Sequence, residues 1–189
     1  MQTTSLIKFI FEQNIIPMIV QSLINEFNYE AESTRRLLSA IPDSALDFKV
    51  TNHELSWTTA QLASHIVNIY SWYEPTLHQP SLDMANFGFV PYDIDNMKSI
   101  LTRFEENVVK ARAAVERTTE EILAQSWSMT VGERVVIPPT PKVAVMRSFL
   151  MNHLYHHRGE MIVYLRSSGN IVPGLYGPTR EEMAGRHGK

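Results

Sequence analysis

Four stretches of this chain repeat their apolar residues at the period of an α-helix, and long amphipathic helices bury such faces most simply against one another. The first covers roughly residues 17–41, with Ile19, Leu23, Phe27, Ala31, Leu38 and Ile41 on one broad face, and stops before Pro42-Asp43. The second opens near residues 56–58, where Thr58 and Gln61 have the spacing of a capping box, and carries Leu62, Ile66, Ile69 and Tyr73 as its stripe. The third, about 94–117, places Ile94, Met97, Leu101, Phe104, Val108, Ala111 and Val115 at heptad-like spacing. The fourth runs from about 142 to 168 and ends at Gly169, a residue suited to a left-handed stop. The expected architecture is an all-α four-helix bundle.

The connections are less regular. Residues 79–93, with Pro80, Gly88 and Pro91, read as a loop, and 119–125 as a short helix. Residues 126–138 then suggest two short strands about Gly132, a small β-hairpin between the third and fourth helices. The Pro-rich stretch 138–141 leads into the last helix. At 189 residues the chain fits a single domain, 1–189, with its core at about 17–170, an N-terminal extension 1–16 and a C-terminal tail 171–189.

Composition removes several function classes. A formal net charge of −3 gives no electrostatic reason to expect nucleic acid, and Arg35-Arg36 reads as a solvated helix face. Lys8, Glu12, Gln13, Asn14, Pro17 and Gln21 break the apolar stretch 6–24, so no membrane helix or signal peptide is expected and the cytoplasm is the default location. The chain has no cysteine, which excludes disulfides, Cys-ligated zinc and a Cys nucleophile. Histidines and carboxylates are left as metal ligands.

Histidines are where the sequence concentrates its chemistry. His153 and His157 lie one turn apart on the fourth helix, only about 40° apart around its axis, on a face shared with Met146, Phe149, Leu150, Met161 and Tyr164. Imidazoles on an apolar face need a partner, either a hydrogen bond or a metal. His65 sits beside the apolar stripe of the second helix and offers a third nitrogen. Three imidazoles leave a Zn-type ion one open position, the arrangement of a catalytic site. A bundle whose histidines merely satisfy one another is the structural alternative. His53, His78 and His187 fall in loop or tail positions and read as solvated, and Trp57, Trp72 and Tyr155 read as core aromatics that could line a pocket.

The order of these segments resembles a known family. Glu32-Ser-Thr-Arg-Arg-Leu-Leu-Ser-Ala-Ile-Pro-Asp is followed by Leu46-Asp-Phe-Lys, Ser56-Trp-Thr-Thr-Ala-Gln-Leu-Ala-Ser-His65, His153-Leu-Tyr-His-His157-Arg-Gly-Glu and Val172-Pro-Gly-Leu-Tyr-Gly-Pro-Thr. Over roughly residues 20–180 this is similar to the DinB/YfiT-like superfamily of four-helix-bundle metalloenzymes. The resemblance implies a divalent metal (Zn, Ni or Fe) held by His65, His153 and His157, and a homodimer. Many relatives carry Gln where this chain has Glu160, a residue placed by helix spacing either to reach the metal region, as a weak catalytic candidate, or to orient a ligand or form a salt bridge. His156 is expected to be packed or to support a ligand. Arg158-Gly159 is expected to serve packing, with Arg158 paired to a carboxylate and Gly159 allowing a close helix approach.

Relatives with this bundle include transferases that use low-molecular-weight thiols. The expected function is therefore a metal-dependent enzyme, of hydrolase or thiol-dependent transferase type, acting on a small molecule. The alternative is a metal-binding or stress-associated interaction protein without turnover.

Overall fold

The structure, a computed structural model, describes residues 18–87 and 96–186. The extension 1–16, Pro17, Ile94, His187 and most of the second half of the 79–93 connection lie outside the described residues. The chain runs through α1 (Met18–Ser39), a 3₁₀ turn (Asp43–Ala45), α2 (Thr59–Ser71), α3 (Tyr73–His78), β1 (Ser81–Asp83), α4 (Met97–Glu116) and α5 (Glu120–Ala124). It continues through β2 (Ser126–Val131), β3 (Arg134–Pro141), α6 (Lys142–Val145), a π-helical stretch (Met146–Asn152), α7 (His153–Ser167) and α8 (Arg180–Arg186). The four expected helices are α1, α2, α4 and the continuous run α6–π–α7.

Local chemistry sets the helix ends. Thr58 Oγ1 accepts from the Gln61 amide at 3.2 Å while Gln61 Oε1 accepts from the Thr58 amide at 2.9 Å, so the capping box forms as read. Asn96 caps α4 through Ser99 N at 2.9 Å. At the end of α7 Gly169 takes φ +78°, and the Asn170 and Gly169 amides bond to Leu165 O and Arg166 O at 2.8 and 3.1 Å, a Schellman closure.

Burial corrects the expected faces in two places. On α1 the inward residue at the N-terminal end is Val20, not Ile19, which is 53% exposed. The fourth helix was expected to follow one α period, but Met146–Asn152 is π-helical. Its wider turn adds Met151 to the buried set alongside Met146, Leu150, Leu154, Met161 and Leu165, and leaves Phe149 and His153 at the edge of the core.

The all-α expectation holds only approximately, because the described residues also contain a three-stranded sheet in the order β1-β2-β3. The expected hairpin is β2–β3. Gly132 has φ +59° and Glu133 a negative φ, the pattern of a type II′ turn. β3 runs through Pro138, Pro139 and Pro141, which were expected to be a lead-in to the helix; as an edge strand it tolerates them. β1, inside the segment expected to be a loop, pairs parallel to β2 with Leu82 opposite Met129. Asp83 then accepts from Gly132 N at 2.9 Å and Ala85 N at 3.0 Å, and these amides hold its carboxyl below the usual range. Leu82, Trp127, Met129 and Val145 form a second small core, joined to the bundle through Phe149. Trp127 Nε1 donates to Pro75 O at 3.1 Å, tying the sheet to α3.

Arg158, 1% exposed, pairs with Glu30 of α1 and donates to Glu30 O at 3.1 Å, which identifies the expected carboxylate partner. Tyr176 OH joins both, donating to Glu30 Oε2 at 2.9 Å. Tyr176 belongs to the segment expected to be a tail, which here lies along the bundle and adds Val172 and Leu175 to its core. Tyr29 OH and Arg36 Nη2 both donate to Leu175 O, at 3.0 and 3.3 Å. Gly174 is required in this strap, since a Cβ there would sit 2.2 Å from Gly177 O. Gly159, expected to permit a close helix approach, has open space around it instead.

Replacing Arg158 by Leu strands the buried Glu30 carboxylate, and we expect a loss of about 3–5 kcal/mol in unfolding free energy by urea denaturation. A loss of less than about 1 kcal/mol, the range of an exposed pair, would show that the strap does not depend on this contact.

Candidate metal centre

Helix α2 presents His65 across the bundle to His153 and His157, which begin α7 on consecutive turns. Nε2 of His65 lies 3.2 Å from Nε2 of His153, and one ligand nitrogen from each of the three rings falls within 4.8 Å of the others. The ring centroids are 4.4 Å apart for His65–His157 and 4.6 Å for His153–His157. The cluster is thus able to hold a metal ion, and its three members are the three histidines singled out from the sequence.

The surroundings fix the rings. His157, 8% exposed, has Nδ1 2.6 Å from Glu160 Oε2, which leaves Nε2 for the cluster. Glu160 thus bonds the ring of His157 on its own helix rather than a neighbouring helix, a carboxylate behind an imidazole. His153 Nδ1 is buried against the Phe149 carbonyl without reaching hydrogen-bond geometry. Trp72 stacks on His153 with centroids 5.6 Å apart, and Phe149 stacks in turn on Trp72 at 5.2 Å. Trp57, 40% exposed, covers His65 at 4.9 Å and His157 at 5.8 Å, held by the bond from Tyr164 OH to its carbonyl at 3.0 Å.

Trp72, a core residue as expected, and Trp57, which is exposed, are also walls of the site, the pocket-lining role left open for them. Tyr155 is not. It lies on the opposite side of α7, with its hydroxyl on Glu26 at 2.7 Å, beside a cavity of about 370 Å³ lined by Arg158, Ile162 and the strap. The expectation that His156 is packed is corrected, since its side chain is exposed, with Nε2 3.2 Å from Glu160 Oε1. His78, expected to be solvated, is half-buried, with Nε2 2.8 Å from Ala114 O. His53 is exposed as read.

Burial, reinforced by the neighbouring histidines, pulls the pKa of His65 down to about 3, and burial with His157 pulls that of His153 down to about 4. Both rings are neutral near pH 7, the form in which imidazole binds metal.

With this geometry in view, comparison with known proteins decides the family. A sequence model described as "DinB family" matches residues 13–188. The chain belongs to the DinB family. This DinB chain is similar to the uncharacterised protein YrdA of Bacillus subtilis, with 27% identity over 165 residues covering 85% of this chain and 90% of YrdA. Its fold is that of a DinB-like protein from Bacillus cereus, at a TM-score of 0.61 and 24% identity over 82% of this chain and 97% of that one. It is also that of the DinB-like protein YjoA of Bacillus subtilis, at a TM-score of 0.62 and 19% identity over 84% and 99% of the two chains. YfiT of Bacillus subtilis, described as "a probable metal-dependent hydrolase with an unusual four-helix bundle topology", shares the fold at a TM-score of 0.56 and 15% identity over 82% and 90%. No helix among the described residues of this DinB protein is long and apolar enough to cross a membrane.

The depressed pKa values set a pH dependence in the metal-free protein. Unfolded, both rings return to the ordinary value of 6.5, so below that pH the unfolded chain takes up protons that the folded chain refuses. This contribution is fully present above about pH 6.5 and is lost as pH falls toward about 4 and then about 3. Melting temperatures of chelator-treated protein should drop through that window, and less steeply for His65→Gln. Equal slopes for the two proteins would contradict the burial argument.

Proposed function

We propose that this protein is a divalent-metal-dependent enzyme, of hydrolase or thiol-dependent transferase type, that acts on a small molecule, with His65, His153 and His157 holding the metal. One observation carries the reading. The 3.2 Å between Nε2 of His65 and Nε2 of His153 matches the spacing of roughly 3.3 Å between two nitrogens that each sit about 2.0–2.1 Å from a tetrahedral ion. Imidazole donors suit Zn, Ni and Fe alike, so the metal's identity rests on supply as well as on affinity.

The donor set fits a catalytic ion better than a structural one. Three neutral ligands leave the ion's charge uncompensated and one position open. Bound there, such an ion supplies Lewis acidity and lowers the pKa of a coordinated water or thiol. Glu160 is engaged with His157 Nδ1 on the outer side of the ring, so it orients that ligand rather than closing the cluster. Trp57 and Trp72 keep water off two sides of the histidines and hold their rings in place. With no cysteine in the chain, a reacting thiol would come from a low-molecular-weight co-substrate. The chemistry ascribed to YfiT is of the same kind. Homodimerisation and a cytoplasmic location belong to this proposal, and light scattering on the purified protein tests the first.

Elemental analysis of wild type and His153→Ala, purified in parallel, tests the site. Near-stoichiometric Zn, Ni or Fe is expected in wild type, with most of it lost in the variant while circular dichroism stays helical. Metal absent from both, even after incubation with these ions, would sink the proposal. Full occupancy without turnover on hydrolytic and thiol-transfer substrates would favour a non-catalytic metal-binding protein.

A further inference from the structure

The function proposed above uses one face of His157. The other face belongs to a second group of donors. His156 and Glu160 lie one turn apart on the exposed side of α7, with His156 Nε2 3.2 Å from Glu160 Oε1. The second carboxylate oxygen of Glu160 is 2.6 Å from His157 Nδ1. One ligand atom from each of the three residues falls within 4.8 Å of the others, the same closeness found among His65, His153 and His157. A single carboxylate thus faces two imidazole nitrogens from adjacent residues, and all three donors sit on one rigid helix.

We propose that His156, His157 and Glu160 form a second, outer metal site that shares His157 with the inner one. Two imidazoles and a carboxylate suit a borderline transition ion such as Zn²⁺, Cu²⁺ or Ni²⁺ and are poor ligands for Mg²⁺ or Ca²⁺, which take oxygen. The i,i+4 placing of His156 and Glu160 brings two donors together without any movement of the backbone. The exposure of His156 and Glu160 lowers the desolvation cost at those two donors and leaves the remaining positions to water. When the outer ion takes His157 Nδ1, the N–H bond there breaks, the metal–nitrogen bond forms in its place and the proton goes to solvent. The imidazole ring then joins two ions, one on each nitrogen.

The outer pair does not need the inner site, and this separates the two proposals experimentally. Chelator-stripped full-length protein is titrated with Zn²⁺ alone, and bound metal is counted after desalting, for wild type, His156→Ala and His65→Ala. Two equivalents are expected in wild type and one in each variant, the ion kept by His156→Ala being the tighter. One equivalent in wild type that His156→Ala retains and His65→Ala loses would overturn the outer site and leave the inner one standing. One equivalent lost in His156→Ala and kept in His65→Ala would support the outer site and sink the inner one. Cu²⁺ loading adds a readout of the shared ring: paired ions lose paramagnetic resonance intensity by coupling, and His156→Ala should restore it per copper. Two equivalents with full intensity in wild type would overturn the bridging by His157.

Discussion

Helix α2 is buried around most of its circumference, and the rest of the molecule is arranged to make that possible. Thr59, Ala60, Leu62, Ala63, Ser64, Ile66, Val67, Asn68, Ile69 and Tyr70 are all buried, which leaves little more than Gln61 and the half-buried His65 outside the core. A helix with so little solvent-facing surface is stable only when neighbours surround it. α1, α4 and α7 do so, and each meets it with a different chemistry. α1 brings Phe27 and Thr34 against Tyr70. α4 brings Phe104, and Asn107 donates to Val67 O at 3.0 Å. α7 brings two imidazoles to the one basic residue of α2.

That last meeting opposes stability, as functional sites often do. Two of the three imidazoles, His65 and His153, are buried against indoles without an acid to pair with, and their low pKa values are the sign of it. Held neutral, the rings keep their lone pairs available. Elsewhere on α7 the opposite solution operates, with Arg158 charged and buried because Glu30, Thr34 and Tyr176 meet its nitrogens. One helix therefore presents a histidine cluster on one side and a buried ion pair on the other. The residues behind the two faces, 153 and 157 against 155, 158 and 162, are separated by half a turn.

Much of this was legible in the sequence because it depends on local periodicity. The helices, the Thr58–Gln61 cap, the stop at Gly169 and the turn at Gly132 are each specified by residues within a few positions of one another. The histidine triplet was legible too, since His153 and His157 share a helix face by spacing alone. Three features were not. The π-helical stretch needs one extra residue per turn, and the sequence 146–152 carries no local mark of it. β1 is only three residues long and exists through its pairing with β2, some 47 positions later by the match of Ser81 with Ser128. Trp57, Trp72 and Tyr155 were all read as able to line a pocket, but which of them flank the histidines is a product of bundle packing. The pairing of Arg158 with Glu30 was half legible: a buried arginine needs a carboxylate, but its identity lies 128 residues away.

The distance along the chain between the histidines gives the cluster an order of assembly. His65 precedes His153 by 88 residues, which at a synthesis rate of about 5–20 residues per second amounts to roughly 4–18 s. For that interval the residues of α2 have been synthesised without the helix that carries the other two histidines. The strap that carries Tyr176 to the Glu30–Arg158 pair is made later still. The three histidines therefore come together only when nearly all of the described chain has been synthesised, and a chain that ends before residue 153 carries one of the three.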